Sequence, residues 1–477
     1  MSRVTSAPPL ISPVRDTVDV VVLAAGKGTR MVSRTPKPLH LVAGVPMIDH
    51  VLRATTAVSP VQTVIVVSPD MPELTALVES RSGITTVIQD APRGTGDAAR
   101  WGLAALSGAR WAVVLFADHP LLTPETVGRL VDGARTTGAR ATVLTCVLPE
   151  RGGYGRIARD ERGRATGIVE AKDDETAYQT GRAEINSGMM VVDIAWAREA
   201  LTRLAPSGSS GELYLTDLVS MAVEAGPLSD GGWPVTTVEG DPEIALGIND
   251  RHQLAIADGI ARARNQVRLM EAGVTLIGME TIFVDTGVTV GPDTTILPFT
   301  YLRSGTSIGA RCEIGPYTTI VKSTIGDGVT VRASTIEGAM VAAGSDVGPY
   351  AHLREGSDIG AGVHVGNYVE IKSSRLESGV KIGHFSYIGD ATIGAETNIG
   401  AGAITANFDG ANKYATEIGE GAFIGSGTVL RAPVRIGAGA TTGAGSVVTR
   451  DVPDRATVIG VPARIVERSR DEGEERG

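Results

Sequence analysis

The sequence predicts two domains of different class: an α/β doubly wound (Rossmann-like) domain, followed by a left-handed parallel β-helix of hexapeptide repeats. Two observations carry this prediction. In the first half, short apolar runs alternate with helical stretches, whereas from about residue 274 apolar residues recur every six positions. The length of 477 residues also favours a division, because ordinary domains have roughly 100 to 200 residues.

The composition limits the function classes. A net charge of −10 disfavours nucleic acid and anionic membranes as partners, since both require a basic surface. No apolar run approaches the ~20 residues of a membrane helix, and residues 1–16 lack the apolar core of a signal peptide, so we expect a cytoplasmic protein. Cys146 and Cys312 form neither a disulfide framework nor a zinc spacing, which indicates two reduced thiols.

The first domain is predicted over residues 17–248, after a flexible tail at 1–16. Its apolar runs predict buried parallel strands, and the stretches between them predict helices. The strands are Val18–Leu23, Val61–Val67, Trp111–Phe116 and Ala141–Val147, and two of the helices are Met47–Ala57 and Pro124–Gly133. Because ligands of such folds bind at the carboxyl ends of strands, we expect the chemistry in the loops after them.

A linker helix is predicted over residues 249–273, where Ile260, Ala263, Val267 and Met270 form one apolar stripe. The β-helix is predicted over 274–466, and a disordered charged tail over 467–477. In the β-helix, one apolar residue per hexapeptide points inward from each flat side, as in Ile308, Ile314 and Ile320 and again in Ile418, Ile424, Leu430 and Ile436. Residues 406–416 break the period and predict an extruded loop, a natural place for function.

Two features of the first domain suggest phosphate chemistry. Glycines after the first strand, in Leu23–Met31, free backbone N–H groups for phosphate oxygens, and Lys27, Arg30 and Lys37 add positive charge. The alternative is a glycine turn with solvated basic residues, because neither a Walker loop nor GxGxxG is present. Asp118 comes directly after a strand and suits Mg²⁺, or else caps a helix or turn.

In the β-helix, His384 stands shortly before the extruded loop and could act as a general base on an amine. The alternative is a corner or interface histidine, and His364 is a rival base. The cations Arg354, Lys372 and Lys413 would suit a sugar phosphate, and Tyr387 and Asn398 could add hydrogen bonds.

Several motifs in order make the chain resemble the bacterial family of bifunctional N-acetylglucosamine-1-phosphate uridyltransferases/glucosamine-1-phosphate N-acetyltransferases, from about residue 17 to 465. They are LAAGKGTRM with KPLH, a glutamine followed by PRGTG, GYGRI, IVEAKD, INSG and GIND.

The resemblance implies a nucleotidyltransferase role for the first domain, on UTP and N-acetylglucosamine-1-phosphate. It implies that Leu23, Ala24, Gly26, Gln89, Gly94 and Thr95 bind the uridine nucleotide and that Arg30 and Lys37 steady its phosphates. Asp118 and Asn249 would hold Mg²⁺. Gly155, Glu170 and Asn186 would position the sugar phosphate. Asn249 would thus serve both the metal and the nucleotide site.

For the β-helix, the resemblance implies acetyl transfer from acetyl-CoA to glucosamine-1-phosphate in a homotrimer. His384 would be the base, oriented by Asn407. The acetyl-acceptor contacts would be Arg354, Lys372, Tyr387, Asn398 and Lys413, and the acetyl-CoA contacts Ala401, Asn407, Phe408, Ser426 and Ala444. The product of the two steps would be UDP-N-acetylglucosamine, a peptidoglycan precursor.

The chain departs from the family pattern at four places. Asp97 replaces the histidine of GTGHA, Val45 the lysine of AGKP, and Phe408 the tyrosine of NYDG; an arginine usual near Val461 is missing, with Arg464 close by. Asp97 motivates one alternative, a nucleotidyltransferase of altered specificity with one active half. The other alternative is a non-catalytic scaffold or sensor, against which the intact His384, Asp118 and Asn249 argue. Trials with UTP, dTTP and ATP would identify the first, and ligand binding without product the second.

Overall fold

The computed structural model describes residues 16–149, 152–170, 183–206 and 211–466. The chain forms two compact units, 1–260 and 261–477, and the division falls within one long helix. The predicted tails, residues 1–15 of the first and 467–477 of the second, lie outside the described residues. In the part of the chain that is described, no helix is both long and apolar enough to cross a membrane.

The first unit contains eleven strands and most of the helices within the described ranges. The strands are β1 Val18–Leu23, β2 Leu41–Val42, β3 Val45–Pro46, β4 Thr63–Val67, β5 Ile84–Ile88, β6 Trp111–Phe116, β7 Ala141–Leu148, β8 Arg156–Arg159, β9 Ala165–Val169, β10 Ala183–Asp193 and β11 Val235–Gly240. The helices are α1 Met47–Ala54, α2 Pro72–Glu79, α3 Thr95–Ala104, α4 Pro124–Thr137, α5 Ile194–Leu201, α6 Asp217–Glu224 and α7 Arg251–Glu271. Short 3-10 helices lie at Thr29–Met31, Lys37–Leu39, Thr55–Val58, Pro242–Ala245 and, in the second unit, Met279–Thr281.

The central sheet of the first unit has the order β11-β7-β10-β6-β1-β4-β5. Strands β1, β4 and β6 run parallel, as their continuous apolar runs predicted, and β5, which was not predicted, runs parallel to β4. Strand β10 runs antiparallel to both β6 and β7. The doubly wound prediction is therefore confirmed, with a mixed sheet. Apolar clusters pack on both faces, as expected of a sheet covered by helices. Helix α1 ends at Ala54, earlier than predicted, because the chain tightens into a 3-10 turn at Thr55–Val58.

The apolar stripe predicted for the linker helix is wrong. Val267 and Met270 are 45% and 39% exposed, whereas Leu269 is buried in the core of the second unit. The buried face also carries Gln266, whose Nε2 donates to the carbonyls of Met279 and Ile282. The spacing of apolar residues cannot predict this buried face of the helix, because part of it is the polar side chain of Gln266, which donates to backbone carbonyls.

The second unit is a left-handed parallel β-helix whose three flat sides are three sheets. The first sheet comprises Thr275–Leu276, Thr295–Ile296, Glu313–Ile314, Thr330–Val331, Asp346–Val347, His364–Asn367, Lys381–His384, Asn398–Ile399, Phe423–Ile424, Thr441–Thr442, Thr457–Gly460 and Ala463–Ile465. The second comprises Phe283–Val284, Tyr301–Leu302, Thr319–Val321, Thr335–Glu337, His352–Leu353, Glu370–Lys372, Tyr387–Gly389, Ile404–Ala406, Val429–Arg431 and Val447–Val448. The third comprises Thr289–Val290, Ser307–Ile308, Thr324–Ile325, Met340–Val341, Asp358–Ile359, Arg375–Leu376, Ala391–Ile393, Thr416–Ile418 and Val434–Ile436.

The six-residue period is the inward-facing row of this β-helix. Ile308, Ile314 and Ile320 lie on the third, first and second sheets in turn, and each is at most 5% exposed. The periodic residues from which the fold was predicted are all buried in one continuous core. The predicted extruded loop leaves the second sheet after Ala406 and joins the third sheet at Thr416.

Candidate active sites

A cavity of about 450 Å³ opens at the carboxyl ends of β1, β5 and β6. This is the position expected for a ligand in an open α/β sheet. Eight of the residues predicted for the nucleotide or metal line it: Leu23, Ala24, Gly26, Lys37, Gln89, Gly94, Thr95 and Asp118. The predicted phosphate-binding Arg30 is exposed on the 3-10 helix Thr29–Met31 and is not part of the lining.

The loop before α3 is shaped by close backbone contact. Gly94 has φ 106°, and a Cβ there would lie 2.5 Å from the carbonyl oxygen of Leu213, so only glycine fits. The Thr95 hydroxyl accepts a hydrogen bond from the backbone N–H of Leu215, and Gly96 N–H donates to Leu213 O. The segment after residue 210 thereby forms one wall of the cavity.

Lys37 joins the two predicted metal ligands. Its Nζ donates to Asp118 Oδ2 at 2.5 Å and to Asn249 Oδ1 at 3.1 Å. Burial alone would raise the pKa of the Asp118 carboxyl, but the hydrogen bond and charge of His119, together with those of Lys37, lower this pKa well below its ordinary range. Asp118 therefore stays ionised in the cavity, with one cation already bound to it.

The residue that replaces the family histidine, Asp97, faces away from the cavity. It lies in the first turn of α3, is 2% exposed and forms an ion pair with Arg100. Its other oxygen, Oδ2, accepts from Gln89 Nε2 at 2.9 Å. A carboxylate next to a polyanion costs Coulomb energy, but Asp97 is paired with Arg100 and does not line the cavity. Val45, the second departure, is buried in β3 and does not line the cavity either.

The residues predicted to hold the sugar phosphate form a second cluster. Asn186 N–H donates to Gly155 O, and Asn186 Oδ1 accepts from Gly188 N–H. A Cβ at Gly155 would lie 3.3 Å from Glu170 Oε2, while Glu170 Oε1 accepts from the Thr216 hydroxyl. These three residues do not line the cavity. The end of the IVEAKD motif, residues 171–173, lies outside the described residues.

Some lining residues were missed from the sequence. Glu212 and Tyr214 belong to the segment held by Thr95, and Phe116 and Pro92 complete the wall. Phe116 ends a predicted strand, which placed it at the correct edge. Glu212 and Tyr214 carry no comparable signal, because only the tertiary contacts with Gly96 and Thr95 bring their segment to the cavity.

In the β-helix, the predicted base and three acetyl-CoA residues occupy one corner row on successive coils. Gly402 N–H donates to His384 O, Gly427 N–H to Ala401 O and Gly445 N–H to Ser426 O. This ladder stacks His384, Ala401, Ser426 and Ala444 along one edge. His384, Ser426 and Ala444 are exposed, as a substrate-accessible row requires.

The imidazole of His384 is oriented by Asn367, one coil earlier, which the sequence did not predict. His384 Nδ1 and Asn367 Oδ1 are 2.5 Å apart, and the amide oxygen can only accept, so Nδ1 carries the proton. The predicted orienting residue, Asn407, instead donates from Nδ2 to Asp390 Oδ2 at 2.5 Å. The prediction that Asn407 orients His384 is therefore wrong for the contacts within this chain. The rival base His364 has its Nδ1 2.7 Å from Asp346 Oδ2.

A group of charged side chains surrounds the predicted acetyl-acceptor site. Lys372 ends a strand of the second sheet, and its hydrogen bond and charge lower the pKa of the Lys413 ammonium on the extruded loop. Arg354 Nη1 donates to Glu370 Oε1 at 2.8 Å, a bond that raises the pKa of this guanidinium. Tyr387 pairs with Glu370 in register on the next coil. Two ammonium groups this close to each other can pair with one multiply charged phosphate.

The remaining predicted residues lie close by in the fold. Asn398 is on the first sheet, in register with Lys381. Phe408 is 58% exposed on the extruded loop and forms a β-bridge with Lys413. The side chain of Asp409 accepts from the backbone of Ala411 and Asn412, which closes the tip of this loop. Arg464, the candidate substitute for the missing arginine, bonds to the carbonyls of Pro462 and Ala463.

Comparison with known proteins identifies both domains. Residues 20–164 match the MobA-like NTP transferase domain, and residues 287–322 and 415–450 match the bacterial transferase hexapeptide repeats. The bifunctional protein GlmU of Alkalilimnicola ehrlichii is 42% identical over 453 residues, which cover 95% of each chain. The bifunctional protein GlmU of Heliobacterium modesticaldum is 43% identical over 440 residues, covering 92% of this chain and 94% of that one.

Proposed function

The chain belongs to the GlmU family of bifunctional proteins, and we propose that it makes UDP-N-acetylglucosamine in two steps. The β-helix transfers the acetyl group of acetyl-CoA to glucosamine-1-phosphate. The first domain then transfers a uridylyl group from UTP to the N-acetylglucosamine-1-phosphate, with release of pyrophosphate. The observation that carries this proposal is that one chain holds both a nucleotide-sized cavity at the strand ends of the first domain and, on the β-helix, an exposed histidine held by Asn367 and a pair of neighbouring lysines.

In the first domain, catalysis consists of positioning and charge neutralisation. Gln89, Gly94 and Thr95 hold the nucleotide beside the glycine-rich loop, with Leu23, Ala24 and Gly26 beneath it, and Gly155, Glu170 and Asn186 hold the sugar phosphate. An oxygen of that phosphate attacks the α-phosphorus of UTP, and the bond from this phosphorus to pyrophosphate breaks. The Lys37 ammonium neutralises charge on the phosphates, and Arg30 contributes from outside the cavity.

The side-chain oxygens of Asp118 and Asn249 are of the kind that Mg²⁺ binds. Mg²⁺ binds through one or two protein carboxylates and takes its other ligands from water and substrate phosphates. Among the described residues, no group of three or more acidic, histidine or cysteine side chains could hold a metal ion. At this site the protein would supply one carboxylate, from Asp118, and one amide oxygen, from Asn249. A cation, the Lys37 ammonium, already contacts both of these oxygens. When bound, the metal would neutralise the charge of the triphosphate.

In the β-helix, His384 acts as the general base. With its proton on Nδ1 held by Asn367, the Nε2 lone pair accepts the proton that the glucosamine amine loses as its nitrogen attacks the thioester carbonyl. The C–S bond then breaks, and coenzyme A leaves. Arg354, Lys372 and Lys413 hold the phosphate of the acceptor, with Tyr387 and Asn398 on the sugar. Ala401, Asn407, Phe408, Ser426 and Ala444 contact acetyl-CoA, with Ser426 near the developing oxyanion.

The quaternary and cellular setting belongs to the same proposal. The hexapeptide repeats favour a homotrimer as the active form, and the exposed corner row of His384, Ser426 and Ala444 suits a site that a neighbouring copy completes. The acyl and nucleotidyl domains correspond to residues 274–466 and 17–248, joined by the helix at 249–273. The protein works in the cytoplasm on small molecules, without nucleic acid or membrane partners, and supplies peptidoglycan synthesis.

Mass spectrometry on one reaction tests both halves. Purified protein receives glucosamine-1-phosphate, acetyl-CoA, UTP and Mg²⁺, and we expect UDP-N-acetylglucosamine. The variant His384→Ala should lose this product and regain it when N-acetylglucosamine-1-phosphate is supplied. Accumulation of the acetylated sugar phosphate without nucleotide sugar would mean a first domain of altered specificity. Binding of all substrates without any product would support a scaffold or sensor instead.

A further inference from the structure

The side chain of Gln89 is held in one orientation by Asp97, a residue that does not line the cavity. Gln89 comes directly after β5, its backbone N–H donates to Val67 O, and its side chain lines the nucleotide cavity although the residue is only 5% exposed. The Nε2 group donates to Oδ2 of Asp97, which does not line the cavity, at 2.9 Å, and it lies 3.5 Å from Gly94 O. The opposite end of the amide, Oε1, has no hydrogen-bond partner among the residues that the structure describes.

Asp97 can hold the Gln89 amide only with its NH₂ group toward the carboxylate. A carboxylate has no proton to donate, so it accepts from the NH₂ end and repels the oxygen end of a glutamine. Its negative charge is compensated by the ion pair with Arg100 and by its position in the first turn of α3. Because Asp97 is buried and outside the cavity lining, a nucleotide cannot contact it directly.

The orientation determines what the cavity wall presents to a base. A carbonyl oxygen accepts the N3–H of a uracil ring, whereas the N3 of cytosine is itself an acceptor and is repelled. We propose that Asp97, held by Arg100, is a positioning residue that turns the Gln89 carbonyl toward the cavity and so selects nucleobases with an N3–H donor. This inference rests on the proposed binding of a pyrimidine nucleotide beside Gln89.

The test compares Asp97→Asn with a matched control. Asparagine has nearly the same shape, but its NH₂ group can donate to Gln89 Oε1 and allow the amide to turn over. The control is Asp132→Asn on α4, which removes the carboxylate of a comparable i,i+3 ion pair with Arg135, where Asp132 is 73% exposed. The measurement is the affinity of the full-length protein for UTP and for CTP, by calorimetry with Mg²⁺.

We expect wild type and Asp132→Asn to prefer UTP equally, and Asp97→Asn to lose about tenfold or more of this preference, since a reversed amide leaves mismatched hydrogen-bonding groups in the site. N3-methyl-UTP, which lacks the N3–H donor, should bind to wild type no better than CTP. Arg100→Met is the second variant should Asp97→Asn not fold. It leaves the carboxylate without its counter-ion and should lower the preference in the same direction.

The outcomes separate this inference from the proposed function. A folded Asp97→Asn with the wild-type ratio of affinities overturns the inference, as does a wild type that binds UTP, CTP and N3-methyl-UTP alike. Because binding is measured without turnover, a wild type that prefers UTP but transfers no uridylyl group contradicts the proposed function and leaves the role of Asp97 supported.

Discussion

Replacement of Asn367 by alanine should lower the turnover number of acetyl transfer about tenfold. Asn367 contacts His384 Nδ1 and leaves Nε2 as the base, so it acts on the reaction only through the imidazole. The imidazole is neutral before proton transfer and positively charged in the transition state. A hydrogen bond between neutral groups contributes ~1 kcal/mol, and one from a charged donor ~2 to 2.5 kcal/mol. The difference of about 1 to 1.5 kcal/mol appears only in the transition state, which corresponds to roughly tenfold in rate.

The assay is release of coenzyme A from acetyl-CoA at saturating glucosamine-1-phosphate, with the KM of both substrates measured beside the turnover number. We expect KM values close to wild type, because Asn367 is not among the predicted substrate contacts. Uridylyl transfer with N-acetylglucosamine-1-phosphate serves as an internal control, since it uses the other domain of the same chain.

A matched variant exists one coil earlier. Asp346→Asn alters the comparable contact of His364 Nδ1 with Asp346 Oδ2, on the same sheet of the β-helix. Acetyl transfer should not change in this variant if His384 is the base. The reasoning is refuted if Asn367→Ala keeps the wild-type turnover number, or if Asp346→Asn lowers it to the same extent.

Three further predictions concern other parts of the chain. Lys37→Met should lower uridylyl transfer by about 10² or more and leave acetyl transfer unchanged, because it removes the cation between Asp118 and the phosphates; equal loss in both assays would point to misfolding. The hydrogen bond and the charge of Lys372 lower the pKa of Lys413, so the KM for glucosamine-1-phosphate should rise with pH as Lys413 loses its proton. This rise should move to higher pH in Lys372→Met; an unchanged profile would contradict the prediction. Burial raises the pKa of Cys146 to about 11, and Cys312 is buried too, so Ellman's reagent should label neither thiol in the native protein and both after unfolding.

Local periodicity accounts for the part of the fold that could be predicted. Strands β1 and β6 have the predicted bounds, because a fully buried parallel strand is apolar throughout. The inward row of the β-helix was also predictable, because each buried residue repeats at the period of the coil. The linker helix was predicted over nearly its true length but with the wrong buried face, since Gln266 is buried through hydrogen bonds that no hydrophobic period reveals.

In the candidate sites, too, some residues were predictable from the sequence and others were not. The motifs identified the loop residues, and the rule that ligands lie at strand ends placed them together, as the cavity around Lys37, Gln89 and Asp118 illustrates. The partners behind these residues were not predictable. Asn367 is next to His384 because Val365 pairs with Ile382, one residue sooner than three hexapeptides would place it. Irregular coil lengths of this kind arise from turns and loops, which have no regular period.

The sequence by itself determined the two fold classes, the order of the domains and eight of the residues that line the cavity of the first domain. These properties depend on local pattern and on short motifs. Only the tertiary structure decided which groups hold those residues: Asn367 behind His384, Asp97 behind Gln89 and Lys37 between Asp118 and Asn249. Each of these contacts is a hydrogen bond of about 3 Å or less between side chains. Contacts this short depend on the packing of whole sheets and coils, which a local pattern does not encode.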